Sequence, residues 1–234
     1  MSLAIVYFGM ARSVQKTAES HKKYLRDVLT AAGINYKIYF HTWRTDMGYR
    51  VWSNVHKPPT DTYWTLLKPN VYTCENQDIF TSNLNFGNYF YDHIYKTVGH
   101  SKDGEWLPYL VLNHVCALES QRRALSMIDP GHDAVLLIRP DAMLEEPFPV
   151  DIIKNMAPRT VYLPDFKHNE GYNDRMALGD LTAMSVYMNR LGGAAEYRRH
   201  HGRIVAEKYL KYTLDTAGLT VTPFPYSFEF IRPD

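Results

Sequence analysis

The stretch Ala134-Val135-Leu136-Leu137-Ile138-Arg139-Pro140-Asp141 decides the fold class. Its first five residues are apolar with no alternation. That is the pattern of a strand covered on both faces, as in a mostly parallel sheet between layers of helix. The run stops at an arginine, a proline and an aspartate. In open α/β sheets ligands bind beyond the carboxyl ends of the strands, so Arg139 and Asp141 stand where a site is expected.

The segments on either side fit the same architecture. A helix is predicted from about Leu107 to Ile128, with a stripe at Leu107, Leu110, Val111, His114, Val115, Leu118, Leu125 and Ile128, and Asp129-Pro130-Gly131 ends it. The chain opens on a second apolar run, Leu3-Ala4-Ile5-Val6-Tyr7-Phe8, followed by the turn Gly9-Met10-Ala11-Arg12-Ser13. A helix from Val14 to Ala32 follows, with Gly33 at the left-handed cap, then a strand Tyr36–Phe40 that ends at His41-Thr42-Trp43. This is a β-α-β opening with a parallel pair.

Residues 44–105 carry Lys57-Pro58-Pro59, Lys68-Pro69-Asn70 and many Asn and Tyr with little periodicity, and read as an irregular insertion or lid. Beyond Asp141, the strand Val161-Tyr162-Leu163 leads to a polar loop, Asp165–Arg175. Helices around Leu181–Leu191 and Val205–Ala217, capped by Gly218, precede a last strand at Thr220-Val221-Thr222. The whole reads as one α/β domain of 234 residues, with a mixed, mostly parallel sheet flanked by helices and a Rossmann-like N-terminal half.

Bulk properties narrow the function. A formal net charge of +1 supplies no field that would recruit nucleic acid or an anionic membrane. An anionic ligand must then be held by a few placed arginines. The two cysteines, Cys74 and Cys116, exclude a disulfide framework and fit a reducing, cytoplasmic setting. The opening apolar run is too short to span a membrane. The aromatic share of 14% suits sugar or base stacking and suits ordinary cores equally.

Three predicted strands end in polar sequence, giving Gly9 and Arg12, then His41, Thr42 and Trp43, then Arg139 and Asp141. Together these describe a crevice for a nucleoside diphosphate, with arginines on phosphate, an aromatic ring against the base and Asp141 on a hard cation. Each residue also has a plain reading. Arg12 is then a surface arginine, Asp141 a turn aspartate after proline, and His114 a satisfied core histidine. Gln121 and Arg122 lie at the edge of the buried stripe, where an arginine needs either an anionic cleft or an internal ion pair. No G-x-G-x-x-G, P-loop or H-E-x-x-H pattern occurs.

In order along the chain, several segments resemble a group of GT-A-type glycosyltransferases found in bacteria, algae and large DNA viruses. They are Tyr7–Ser13, Tyr39-Phe40-His41-Thr42-Trp43, Gln121-Arg122-Arg123, Ile138-Arg139-Pro140-Asp141, Asn173–Gly179, Glu207-Lys208-Tyr209-Leu210 and Phe230-Ile231-Arg232. The resemblance implies a GT-A fold, a nucleoside-diphosphate sugar donor, a glycan or other hydroxyl acceptor, and Mn²⁺ or Mg²⁺. It assigns the metal to Asp141 and donor contacts to Gly9, Arg12, Thr42, Trp43, Gln121, Arg122 and Arg139. The chain departs from the usual D-x-D motif, because Arg139 stands where the first carboxylate would be. Either Asp141 holds the cation with diphosphate oxygens and waters, or Arg139 replaces part of its charge. An inverting transfer would need a carboxylate base. Asp174 and then Glu207 are the candidates, with Glu207 alternatively a helix-start carboxylate. The competing readings are a catalytically inactive GT-A-like binding module and a nucleotidyltransferase.

Overall fold

The computed structural model of the chain describes residues 1–51, 54–56, 63–90 and 108–231. Lys57-Pro58-Pro59, Leu107 and Arg232 of the sequence reading lie outside these residues.

The first half comprises β1 (Ser2–Phe8), α1 (Val14–His21), α2 (Asp27–Ala31), β2 (Asn35–Arg44), the short pair β3 (Tyr49–Val51) and β4 (Asn54–His56), β5 (Val71–Asn76) and α3 (Gln77–Ser82). The long α4 (Pro108–Ser126) leads to β6 (Ala134–Ile138), β7 (Ala142–Leu144), α5 (Asp151–Lys154), β8 (Thr160–Pro164) and β9 (Met176–Gly179). α6 (Leu181–Met188), α7 (Leu191–His201), α8 (Ala206–Thr216), β10 (Thr220–Phe224) and β11 (Phe228–Phe230) complete it.

Seven strands form one sheet in the order β10-β8-β9-β6-β1-β2-β5. β5, β2, β1 and β6 run parallel, β10 is parallel to β8, and β9 is antiparallel to both its neighbours. The sheet is therefore mixed and mostly parallel with helices against it, the class of architecture that the sequence implies.

The unalternating runs behave as their composition dictates. Alternate residues of β1 enter different cores: Leu3, Ile5 and Tyr7 pack with Val14, Leu25 and Leu29 on one face. Ala4, Val6 and Phe8 pack with Ala124, Met184, Leu210 and Leu214 on the other. β6 divides likewise, and all five of its residues are buried. Register then aligns the chemistry. Phe8 lies opposite His41, and Tyr7 opposite Ile138, so β1, β2 and β6 deliver their carboxyl ends to one edge.

Several expectations change. The strand read as Tyr36–Phe40 runs on to Arg44, because Thr42, Trp43 and Arg44 pair with Cys74, Glu75 and Asn76 of β5. The region read as irregular thus supplies an edge strand of the main sheet. The single helix read from Val14 to Ala32 is interrupted by a π-helical turn at Lys22–Arg26. β9, only four residues long, and α7, whose Gly192-Gly193 and basic end break any apolar stripe, had no sequence signal.

Candidate functional site

Beyond the carboxyl ends of β1, β2 and β6 lies a cavity of about 250 Å³. Gly9, Arg12, Trp43, Gln121, Arg139, Asp141 and Asp174 line it, whereas Thr42, Arg122 and Glu207 do not.

Asp141 is placed by the helix on the opposite side of β1. The Thr17 hydroxyl donates to the Pro140 carbonyl at 2.7 Å. His21 Nε2 bonds the Ala142 carbonyl at 2.7 Å, with Tyr7 on its other ring nitrogen at 3.0 Å. Burial lowers the His21 pKa to about 4, so the ring works as a neutral hydrogen-bonding strut. The turn after β6 is therefore clamped, and Asp141 is 1% exposed. Two arginines meet its carboxylate. Arg139 Nε donates to Oδ1 at 2.9 Å and Nη2 to Oδ2 at 2.6 Å, a bidentate fork, and Arg12 Nε reaches Oδ2 at 3.3 Å. Burial works against the Arg139 charge, but the charge and hydrogen bonds of Asp141, together with the Asp174 charge, outweigh it and raise the guanidinium pKa.

That donor set does not fit a divalent cation held by the protein. Mn²⁺ and Mg²⁺ need several oxygen ligands, and both Asp141 oxygens already receive guanidinium hydrogens. Among the described residues no group of three His, Cys, Asp or Glu side chains comes together to hold a metal.

The first loop is anchored to α4. Gly9 turns at φ 85°, a left-handed conformation that glycine adopts without strain. Its N–H donates to Ser120 Oγ at 2.7 Å, and Ser120 also bonds His41. Gln121, one residue on, accepts 2.7 Å from Arg190 Nη1 through its side-chain oxygen, which leaves the amide NH₂ as the group it offers elsewhere. Burial lowers the His114 pKa to about 4, with Asp174 opposing that shift. Burial pushes the Cys116 thiol, also on the cavity, up to about 12, which removes it as a nucleophile.

Asp174, on the same cavity as Asp141, is held differently. Asn173, fully buried, ties its loop through a bond to the Phe166 carbonyl at 2.8 Å and accepts from the Arg175 N–H at 3.0 Å. The Asp174 carboxylate itself makes no hydrogen bond or ion pair with any described residue. Glu207 lies behind it, bonded to Asn169 at 2.9 Å and Arg175 at 3.3 Å. Burial first, and then the Asp174 charge, raise the Glu207 pKa.

The three predicted residues off the cavity have clear positions. Thr42 is buried within β2, and its hydroxyl has no hydrogen-bond partner among the described residues. Arg122 is half exposed and forms a fork to Glu119 at 2.8 and 2.7 Å, so the ion-pair reading is the one the structure shows. Glu207 braces the loop Asp165–Arg175. Trp43 does line the cavity, but its ring is 3% exposed, stacks on Phe80 at 5.4 Å and donates Nε1–H to the Cys116 carbonyl. It is committed to packing and does not present the open face a base would need. Sequence reasoning missed Thr17, His21, Ser120 and Arg190, whose roles depend on partners 69 to 123 residues away.

No family model matches the chain, and no curated protein matches it. Among solved structures it is similar to mouse xyloside xylosyltransferase 1 in its apo form, with a TM-score of 0.45 and 11% identity over 96% of this chain and 85% of that one. Among the described residues no helix is long and apolar enough to cross a membrane.

Proposed function

We propose that the protein is a glycosyltransferase that moves a sugar from a nucleoside-diphosphate sugar to a hydroxyl of a glycan or other acceptor, with inversion. The observation that carries this reading is one cavity, at the carboxyl ends of parallel strands, lined by two arginines bound to Asp141 and by a second carboxylate, Asp174, that makes no hydrogen bond or ion pair with any described residue. The resemblance of the strand-end segments supports it independently.

The diphosphate of the donor lies against Arg12 and Arg139, whose positive charge stabilises it as it leaves. The Gln121 amide is a donor for the sugar or phosphate oxygens. The acceptor hydroxyl approaches from the Asp174 side. Its oxygen forms a bond to the anomeric carbon as the bond to the diphosphate oxygen breaks and that oxygen keeps the electron pair. The hydroxyl proton passes to Asp174, which is the catalytic base in this scheme. Glu207 acts only through the loop it braces.

Thermal unfolding against a panel of nucleoside diphosphates and their sugars tests the reading. A ligand of the folded state adds about 2.7 kcal/mol at a hundred times its dissociation constant. One base should stabilise the protein as both diphosphate and sugar conjugate. No shift with any of them at millimolar concentration would remove the transferase reading.

A further inference from the structure

We infer that this transfer needs no divalent cation, and that Asp141 is the anchor of an arginine pair that does a cation's work. The inference rests on the transferase reading above and deepens it.

The geometry decides what Asp141 can do. Its two oxygens lie 2.6 to 3.3 Å from three guanidinium nitrogens belonging to Arg12 and Arg139. A Mg²⁺ ion bound to either oxygen sits roughly 2.1 Å from it. It would be within a few ångströms of both guanidinium groups, where two like charges repel it with little solvent between them. Binding a cation there means first breaking the fork. Among the described residues, Asp174, the other carboxylate on the cavity, makes no hydrogen bond or ion pair with Asp141 or with either arginine, and no group of three metal-ligating side chains forms there.

The arginines, by contrast, are already arranged for phosphate. Arg12 and Arg139 both bring a guanidinium to the cavity beside Asp141. A guanidinium has five N–H donors, and Arg139 spends two of them on Asp141, which leaves three. Its plane is set from the other side by the Phe230 ring, 4.4 Å from the guanidinium carbon. A fork held between a carboxylate and an aromatic face loses little freedom when it takes diphosphate oxygens. Asp141 is a positioning residue here, acting on the donor only through Arg12 and Arg139.

Calorimetric titration with UDP, GDP, ADP, CDP and dTDP, each in excess EDTA and in millimolar Mn²⁺, tests the inference. The diphosphate that binds should do so with dissociation constants within about threefold in the two buffers. Arg139→Gln should weaken it about tenfold or more in both, the loss of one charge-assisted bond. Arg12→Gln serves as the second variant if the melting curve of Arg139→Gln shows that it is unfolded. Asp141→Asn should weaken binding in EDTA as well, because it loosens the arginines. Binding that disappears in EDTA, returns with Mn²⁺ and depends on Asp141 only when Mn²⁺ is present would overturn the inference and leave the transferase reading standing. Absence of binding by every diphosphate in both buffers would overturn the two together.

Discussion

The two aspartates that line the cavity, Asp141 and Asp174, are held in opposite ways. On the β6 side, Asp141 is sealed under a turn fastened by Thr17 and His21, and both its oxygens are occupied by arginine. On the loop side, Asp174 sits on backbone fixed by Asn173 while its own carboxylate has no partner among the described residues. A carboxylate whose two oxygens are both held by guanidinium groups orients its neighbours. One left free beside a cavity can accept a proton. The difference separates a scaffold from a reactive group, although the sequence presents both as an aspartate within two residues of an arginine.

Substitution sets the two aspartates apart directly. Asp141→Ala strips the shared carboxylate from Arg139 and Arg12, whose side chains keep partial access to the cavity, and should cost about 2 kcal/mol, the usual worth of hydrogen bonds to a charged group. Asp174→Ala breaks no hydrogen bond or ion pair to a described residue and should cost less, about 1 kcal/mol or under. Urea unfolding of the two variants checks this, and equal losses would erase the distinction.

A second effect comes from the histidine behind Asp141. His21 is buried neutral, its pKa lowered from 6.5 to about 4 by desolvation. The unfolded chain therefore takes up this proton at higher pH than the folded one. The contribution is fully present above about pH 6.5 and is lost as pH falls toward 4, on the order of 3 kcal/mol at about 1.4 kcal/mol per unit. His114, on the cavity with Asp174, is shifted to about 4 in the same direction and adds to the slope. Denaturant unfolding at a series of pH values reads the sum, and His21→Gln should flatten part of it. A stability that is level from pH 6.5 to 4 would contradict the neutral strut.

The strands and their polar ends were legible because burial on both faces demands unbroken apolar runs, as in Leu3–Phe8 and Ala134–Ile138. Gly33 and Gly218 were legible as caps, and both have positive φ. What could not be read depends on distant partners. β2 continues through Thr42 and Trp43 because β5 lies beside it, and nothing local announces that pairing. Arg122 and Gln121 are one residue apart, yet a rotation of about 100° along the helix puts Gln121 on the cavity and turns Arg122 out to Glu119. Ser120 and Thr17 are small polar residues on helices, ordinary in sequence and decisive only once Gly9 and Pro140 arrive beside them.

The most direct measurement is release of nucleoside diphosphate from the stabilising nucleotide sugar, with acceptor present, by wild type and by Asp174→Asn. Wild type should transfer the sugar and release the diphosphate. In the variant, donor affinity should be unchanged and turnover should fall about 10²- to 10⁴-fold, the usual worth of a general base. Undiminished turnover in Asp174→Asn would contradict the assignment of Asp174 as the base, because the free carboxylate would then take no part in the reaction.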